Sequence, residues 1–276
     1  MQSLPIYLAY SLLTGIFAAS LAVWLTVITK MVKRKSPLQL HQREKFEWHL
    51  ILVLLIALLA SYHAVKTQLN VKPAPANFES VEASLDRIRH AVLSKLVLVA
   101  LIPGFLVVIF DRKFADFGFR RDNLKHQVLT GAIGFLAASL PVAAIQLLLF
   151  ETGVRDGQHV HTLLVMLREH PQFSVIAWVA VSAIVSAPAA EELLYRVILQ
   201  GALQSQVRPG LAIVFSSIVF SCVHAWPDPL PLFPLALILG YVFYKTNSYL
   251  AVVTLHALFN ATNLILTISN VVEPNS

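Results

Sequence analysis

Two adjacent carboxylates and a guanidinium stand in an otherwise apolar stretch near the middle of the chain. The stretch reads VSAIVSAPAAEELLYRVILQ, and its charged residues are Glu191, Glu192 and Arg196. Glu192 and Arg196 are four residues apart, so on a helix they share one face and can form an ion pair. Glu191 is turned about 100° from Glu192 and has no cation three or four residues away. The pattern predicts one structural and one free carboxylate, and a packing network between helices is the alternative for the whole trio.

Two later apolar stretches each contribute a histidine. FSCVH places Phe220 and His224 four residues apart, and HALFN does the same for His256 and Asn260. Taken singly, each histidine is more commonly a hydrogen-bonded interior residue. Together with a free carboxylate acting as general base, one imidazole could orient water and shuttle its proton. The other imidazole and the amide are donors suited to a developing oxyanion. This set of groups would support hydrolysis of an acyl bond.

The composition indicates that these groups lie within a membrane. The chain has 276 residues, of which 57% are hydrophobic and 13% are charged, against about 25% charged in soluble domains. Its apolar residues fall in blocks long enough to span a hydrocarbon layer, which takes roughly 20 residues of helix. We therefore expect an all-α, polytopic transmembrane bundle of about eight helices. The blocks are Leu4–Thr29, His49–Gln68, Ala91–Phe110, Gln127–Phe150, Phe173–Leu203, Leu211–Trp226, Leu230–Tyr244 and Tyr249–Ser269.

The basic residues predict how the helices are oriented. The loop after the first block holds the densest Lys and Arg cluster, from Lys30 to Lys45, and such loops stay in the cytoplasm. Both termini are then outside, and Glu191, His224, His256 and Asn260 lie about 10–20 Å below the cytoplasmic surface at 1.5 Å per residue. We expect N-terminal helices over residues 1–110 and a catalytic core over residues 111–276. The net charge of +6 fits this topology and anionic lipids, and no basic domain for nucleic acid is present.

The three motifs resemble those of the CPBP family of intramembrane proteases, which includes the CAAX prenyl proteases and bacteriocin-processing and immunity proteins. The family motifs are two glutamates followed after three residues by arginine, then Phe-x-x-x-His, then His-x-x-x-Asn. Here they read EELLYR, FSCVH and HALFN, in the same order on successive apolar blocks. The likeness covers about residues 187–263, with a weaker one in FADFGFRRDNLKH. The first two or three helices carry no such likeness.

The resemblance implies a role for each motif residue. Glu191 would be the catalytic base and would activate water together with His224. His256 and Asn260 would form the oxyanion hole. The remaining motif residues would support the site, with Arg196 holding Glu192, and Phe220 belonging to the second motif.

Several alternatives stay open at the level of sequence. No metal is required by this reading, but zinc held by Glu191, His224 and His256 is the alternative, because carboxylate and imidazole are zinc ligands. A non-catalytic immunity or scaffold protein could keep the same fold. An ion-coupled transporter could use Glu191 and Glu192, although such proteins commonly show repeated halves and none is evident.

The expected partners follow from the membrane setting. They are membrane lipids and a membrane-associated protein or peptide substrate, which would be prenylated where the host supplies prenylation. We expect no nucleic-acid partner. A multi-pass location in a bacterial inner membrane is the favoured one.

Overall fold

The computed structural model describes residues 4–41, 47–48, 81–154 and 172–272 of the chain. Within these ranges it contains seven helices and no strand, which confirms the all-α prediction. Six of the seven are long and apolar enough to cross a membrane. The predicted helix His49–Gln68 lies outside the described residues. The helices are α1 Leu4–Val32, α2 Val81–Phe110, α3 Leu124–Glu151, α4 Phe173–Gln206, α5 Pro209–Cys222, α6 Pro229–Thr246 and α7 Tyr249–Val272.

Helix α2 begins ten residues before the apolar block that predicted it. Its first turns are amphipathic. Leu85, Ile88 and Val92 share one buried face and pack with the start of α4, whereas Asp86 and Arg89 form an exposed ion pair of 2.8 Å. A helix with one polar and one apolar face can extend beyond the hydrocarbon layer while its apolar face stays packed against α4.

Helix α4, which carries the glutamates, departs from α-helical winding in two places. Its main chain is π-helical over Val181–Ser186 and again over Leu193–Gln200, with an α-helical segment Ala187–Glu192 between them. A π turn bonds each N–H to the carbonyl five residues earlier, and such turns occur frequently at functional sites. Both glutamates lie at the end of the central α segment, immediately before the second π stretch.

Helix α5 is shorter than predicted. The apolar block suggested a helix as far as Trp226, but the helix ends at Cys222. Pro227 follows five residues later, and helical geometry is disfavoured for the residue before a proline. Fourteen residues span about 21 Å, less than the roughly 30 Å of a hydrocarbon core. We therefore expect the turn between α5 and α6 to lie inside the bilayer thickness.

Helix α3 lies at the centre of the bundle and approaches α7 closely. A Cβ atom on Gly131 would collide with the carbonyl oxygen of Ala251. On Gly134 it would come within 2.6 Å of Leu255 Cδ1. Small residues let helix backbones come together where no hydrophobic effect drives association. The position of α7, and of the third motif upon it, depends on these two glycines.

One end of the bundle is closed by contacts between three connections. The main-chain N–H of His41, after α1, donates to the carbonyl of Lys245 at the end of α6, at 2.7 Å. Arg120, between α2 and α3, donates from Nη1 to the carbonyl of Thr246 at 2.8 Å. These loops therefore lie at the same end, as the eight-pass topology requires. Their assignment to the cytoplasm stays a prediction.

Candidate active site

A buried ion pair lies on α4 where the four-residue spacing places it. Arg196 Nε donates to Glu192 Oε2 at 3.1 Å, and both side chains are fully buried. The Arg196 guanidinium carbon also lies 5.0 Å from the centre of the Phe220 ring. Because an isolated charge in an apolar interior is very unfavourable, the pair and the ring together make this cation tolerable. The contact between Arg196 and the Phe220 ring links α4 to α5.

The same carboxylate of Glu192 also contacts the third motif. Nδ1 of His256, on α7, lies 2.8 Å from Glu192 Oε1. A carboxylate accepts, so this ring nitrogen carries the proton, and the bond fixes the ring orientation. The reasoning from sequence missed this contact, because spacing within one helix gives no distance between helices. Glu192 thus joins Arg196 on one side to His256 on the other.

Glu191 is the carboxylate that remains free of the arginine. Its side chain is 29% exposed, whereas that of Glu192 is 0% exposed. Its Oε2 lies 3.9 Å from Nε2 of His256, which is too far for a hydrogen bond but close enough for a shared water or substrate atom. The two neighbouring glutamates therefore have different surroundings, and only Glu191 is open to an incoming molecule.

His224 lies just beyond the end of α5 rather than within it. Its Nδ1 is 2.8 Å from the carbonyl oxygen of Phe220. A carbonyl can only accept, so Nδ1 donates, and in the neutral ring Nε2 keeps its lone pair. The buried Phe220 ring lies 5.1 Å from the His224 ring and 5.7 Å from the His256 ring, centre to centre. Phe220 therefore brings together the two imidazoles predicted for the site.

Asn260 is tied to the backbone of α4. Its Nδ2 donates to the carbonyl oxygen of Ala183 at 2.8 Å. An amide NH2 has two N–H groups, so one donor is used here and one is left. Asn260 lies one turn beyond His256 on α7, which keeps both on the side of the helix that faces α4. The oxyanion role expected for Asn260 stays a prediction, with a single donor to serve it.

A tyrosine also connects α7 to the glutamate segment. The Tyr249 hydroxyl donates to the carbonyl of Ala189 at 2.7 Å, two residues before Glu191. The Tyr249 ring packs on Phe119 with a centre-to-centre distance of 4.7 Å. Phe119 belongs to FADFGFRRDNLKH, the segment with the weaker likeness. The segment therefore contacts the glutamate helix indirectly, through Tyr249.

The geometry gives no support to a zinc ligand set. Within the described ranges, no three His, Cys, Asp or Glu side chains form a group that could hold a metal ion. Glu191, His224 and His256 are therefore not arranged as three ligands of one centre. Independence of metal stays a prediction that zinc analysis must test.

A separate apolar cavity lies away from these residues. Its volume is about 380 Å³, and it lies between α1, α3 and α7, with Phe17, Phe135, Gln146 and Asn263 among its lining residues. None of the predicted site residues lines it. The cavity is therefore not the place where the predicted chemistry would occur.

Comparison with protein families found one match, which covers the site. Residues 173–262 match the family model described as type II CAAX prenyl endopeptidase Rce1-like. The matched range runs from the start of α4 into α7 and contains all three motifs. It confirms the resemblance to the CPBP proteases that the motifs indicated. Comparison with curated proteins and with solved structures gave no match.

Proposed function

We propose, because residues 173–262 match the family model of Rce1-like type II CAAX prenyl endopeptidases, that this integral membrane protein hydrolyses a peptide bond with water activated by Glu191. One observation carries the proposal. Of two adjacent glutamates, Glu192 is buried between Arg196 and His256, whereas Glu191 is partly exposed beside the same histidine. A general base must reach its water, and only Glu191 is accessible.

In the proposed first step, Glu191 takes a proton from a water molecule whose oxygen attacks the carbonyl carbon of the scissile bond. The lone pair on Nε2 of His224 accepts a hydrogen bond from the same water and orients it. This use of His224 is supported by the bond between Nδ1 and Phe220, which keeps the proton on Nδ1. The C–N bond then breaks as the proton held by Glu191 passes to the leaving nitrogen.

The negative charge that develops on the carbonyl oxygen needs donors. Asn260 has one N–H left after its bond to Ala183. His256, whose Nε2 lies 3.9 Å from Glu191 Oε2, can donate from Nε2 when both ring nitrogens carry protons. Donors aimed at such an oxyanion are worth about 10²–10³ in rate each.

Glu192 and Arg196 act through His256 in this proposal. The Glu192 carboxylate holds Nδ1 of the ring and leaves Nε2 directed to the Glu191 side. Arg196 balances the charge of Glu192 within a fully buried pair. Because neighbouring side chains already hold the catalytic groups in place, these groups need little rearrangement when the transition state forms. Such preorganisation is the main source of electrostatic catalysis.

The proposed substrate is a membrane-associated protein or peptide. Glu191, His256 and Asn260 lie on helices that are long and apolar enough to cross a membrane, and the shortness of α5 supports a position for His224 within the bilayer thickness. A substrate therefore reaches them most readily when its own chain is held at the membrane. A prenyl group would provide that anchor where the host attaches one, and the bacterial inner membrane is the proposed location.

The direct test is cleavage in proteoliposomes. The substrate is a fluorogenic peptide with a CAAX-type C-terminus, offered in farnesylated and unmodified forms. Glu191→Gln should abolish cleavage and leave the unfolding midpoint unchanged, because the amide is isosteric but cannot take the proton. Glu151→Gln, at the exposed end of α3, is the matched control and should cleave like the wild type. Wild-type turnover by Glu191→Gln would refute the proposal.

A further inference from the structure

The first π stretch of α4 leaves one carbonyl without a main-chain partner. A helix offers a carbonyl two main-chain donors, the N–H four residues on in an α turn and five residues on in a π turn. For Ala183 these are residues 187 and 188. The N–H of Ala187 donates instead to Ser182, five residues earlier. Residue 188 is proline, which has no N–H.

Asn260 takes the place of the missing donor. Its Nδ2 lies 2.8 Å from the freed oxygen of Ala183. Within a bilayer a free carbonyl is costly, because no bulk water is available to satisfy it. The hydrogen bond from Asn260 to Ala183 is therefore expected to persist, because it satisfies this carbonyl. Pro188 is three residues before Glu191, so the same turn of α4 carries both the base and the anchor of Asn260.

A similar arrangement occurs away from the site, elsewhere in the part of the bundle that the structure describes. Pro141 lies inside α3 and cannot donate to Ala137, four residues earlier. The carbonyl of Ala137 instead accepts from Nε1 of Trp24 on α1, at 3.0 Å. In both places a proline frees a carbonyl, and a side chain from another helix bonds to it.

We propose that Pro188 is a positioning residue for Asn260, because it keeps the Ala183 carbonyl free to hold the Asn260 amide. The inference rests on the proposed function, in which Asn260 donates to the oxyanion. A carboxamide is planar, so fixing one N–H on Ala183 also fixes the direction of the second. Without the anchor the amide rotates, and its remaining donor is no longer directed at the reacting carbonyl.

The test is a double-mutant cycle on kcat. Pro188→Ala supplies an N–H that competes for Ala183, and kcat should fall roughly tenfold with KM unchanged, as expected for a transition-state hydrogen bond that is weakened rather than removed. Asn260→Ala should lose about 10²–10³ in kcat. The double variant should be no slower than Asn260→Ala, because Pro188 acts only through Asn260. Pro141→Ala, the matched proline control, should keep kcat within about twofold of the wild type.

A backbone ester at position 188 distinguishes the effect of the missing N–H from the effect of the proline ring. Lactic acid incorporated at position 188 has an alanine-like side chain and no N–H, so this variant should retain wild-type kcat. It also keeps the inference testable if Pro188→Ala fails to fold. Wild-type kcat in Pro188→Ala, multiplicative losses in the double variant, or a slow ester variant would each overturn the inference. Wild-type kcat in Asn260→Ala would instead overturn the oxyanion role within the proposed function.

Discussion

Removal of Arg196 should destabilise the protein strongly, because its partner stays behind. Arg196 and Glu192 are both fully buried and 3.1 Å apart. Removing one member of such a pair typically costs about 3–5 kcal/mol, as the remaining charge is left uncompensated. His256 lies 2.8 Å from the same carboxylate and can carry part of the balancing charge. We therefore expect a loss of about 3 kcal/mol for Arg196→Ala, at the lower end of this range.

The loss of unfolding free energy can be measured by unfolding the protein in mixed micelles titrated with SDS. Arg89→Ala removes one side of the exposed pair with Asp86 and should cost less than about 1 kcal/mol. Adding Glu192→Gln to Arg196→Ala removes the unpaired charge, so the double variant should be more stable than the sum of the two single losses predicts. Strict additivity would refute the reasoning. A variant Arg196→Ala with wild-type stability and no activity would make Arg196 a direct participant in the reaction.

Three further predictions follow from contacts around the site. Tyr249→Phe removes the hydrogen bond to the Ala189 carbonyl and should lower the free energy of unfolding by about 0.5–1.5 kcal/mol, together with kcat. An unchanged unfolding midpoint and kcat would show that this bond does not position the glutamate segment. Gly131→Val should prevent α7 from packing on α3 and should reduce the yield of folded protein. Gly104→Val is the control and should keep the wild-type yield, because the space around its Cβ position is open. Equal yields of the two variants would contradict the close-packing argument. Purified protein should contain far less than one equivalent of zinc and should keep its cleavage activity after chelation and dialysis. Stoichiometric zinc, with activity lost on its removal and restored on its re-addition, would show that the protein is a metalloprotease.

Much of the fold could be predicted because long apolar blocks have few alternatives in a membrane. The block Leu230–Tyr244 became α6, Pro229–Thr246, with only small changes at its ends. The predicted end of α5 was wrong, because the apolar content continues to Trp226 whereas the helix ends at Cys222, five residues before Pro227. The π stretches of α4 could not be predicted, since an i to i+5 bond leaves no clear pattern of side chains.

The candidate site could be predicted only where its residues share a helix. Four-residue spacing was enough to pair Glu192 with Arg196 and to leave Glu191 free. The contact of Glu192 with His256, and that of Asn260 with Ala183, join α7 to α4. Such contacts depend on how two helices cross, which local spacing does not report. The sequence resemblance grouped these residues, and the structure supplies their partners.

A single-turnover experiment in H₂¹⁸O tests most directly whether Glu191 activates water rather than attacking the substrate itself. Excess enzyme is mixed with the membrane-anchored peptide, and the product carboxylate and the enzyme peptide containing Glu191 are both analysed by mass spectrometry. Direct attack by water predicts one ¹⁸O in the new product carboxylate during the first turnover and none in Glu191. Unlabelled product together with ¹⁸O in Glu191, or a trapped acyl-enzyme, would contradict the proposed mechanism.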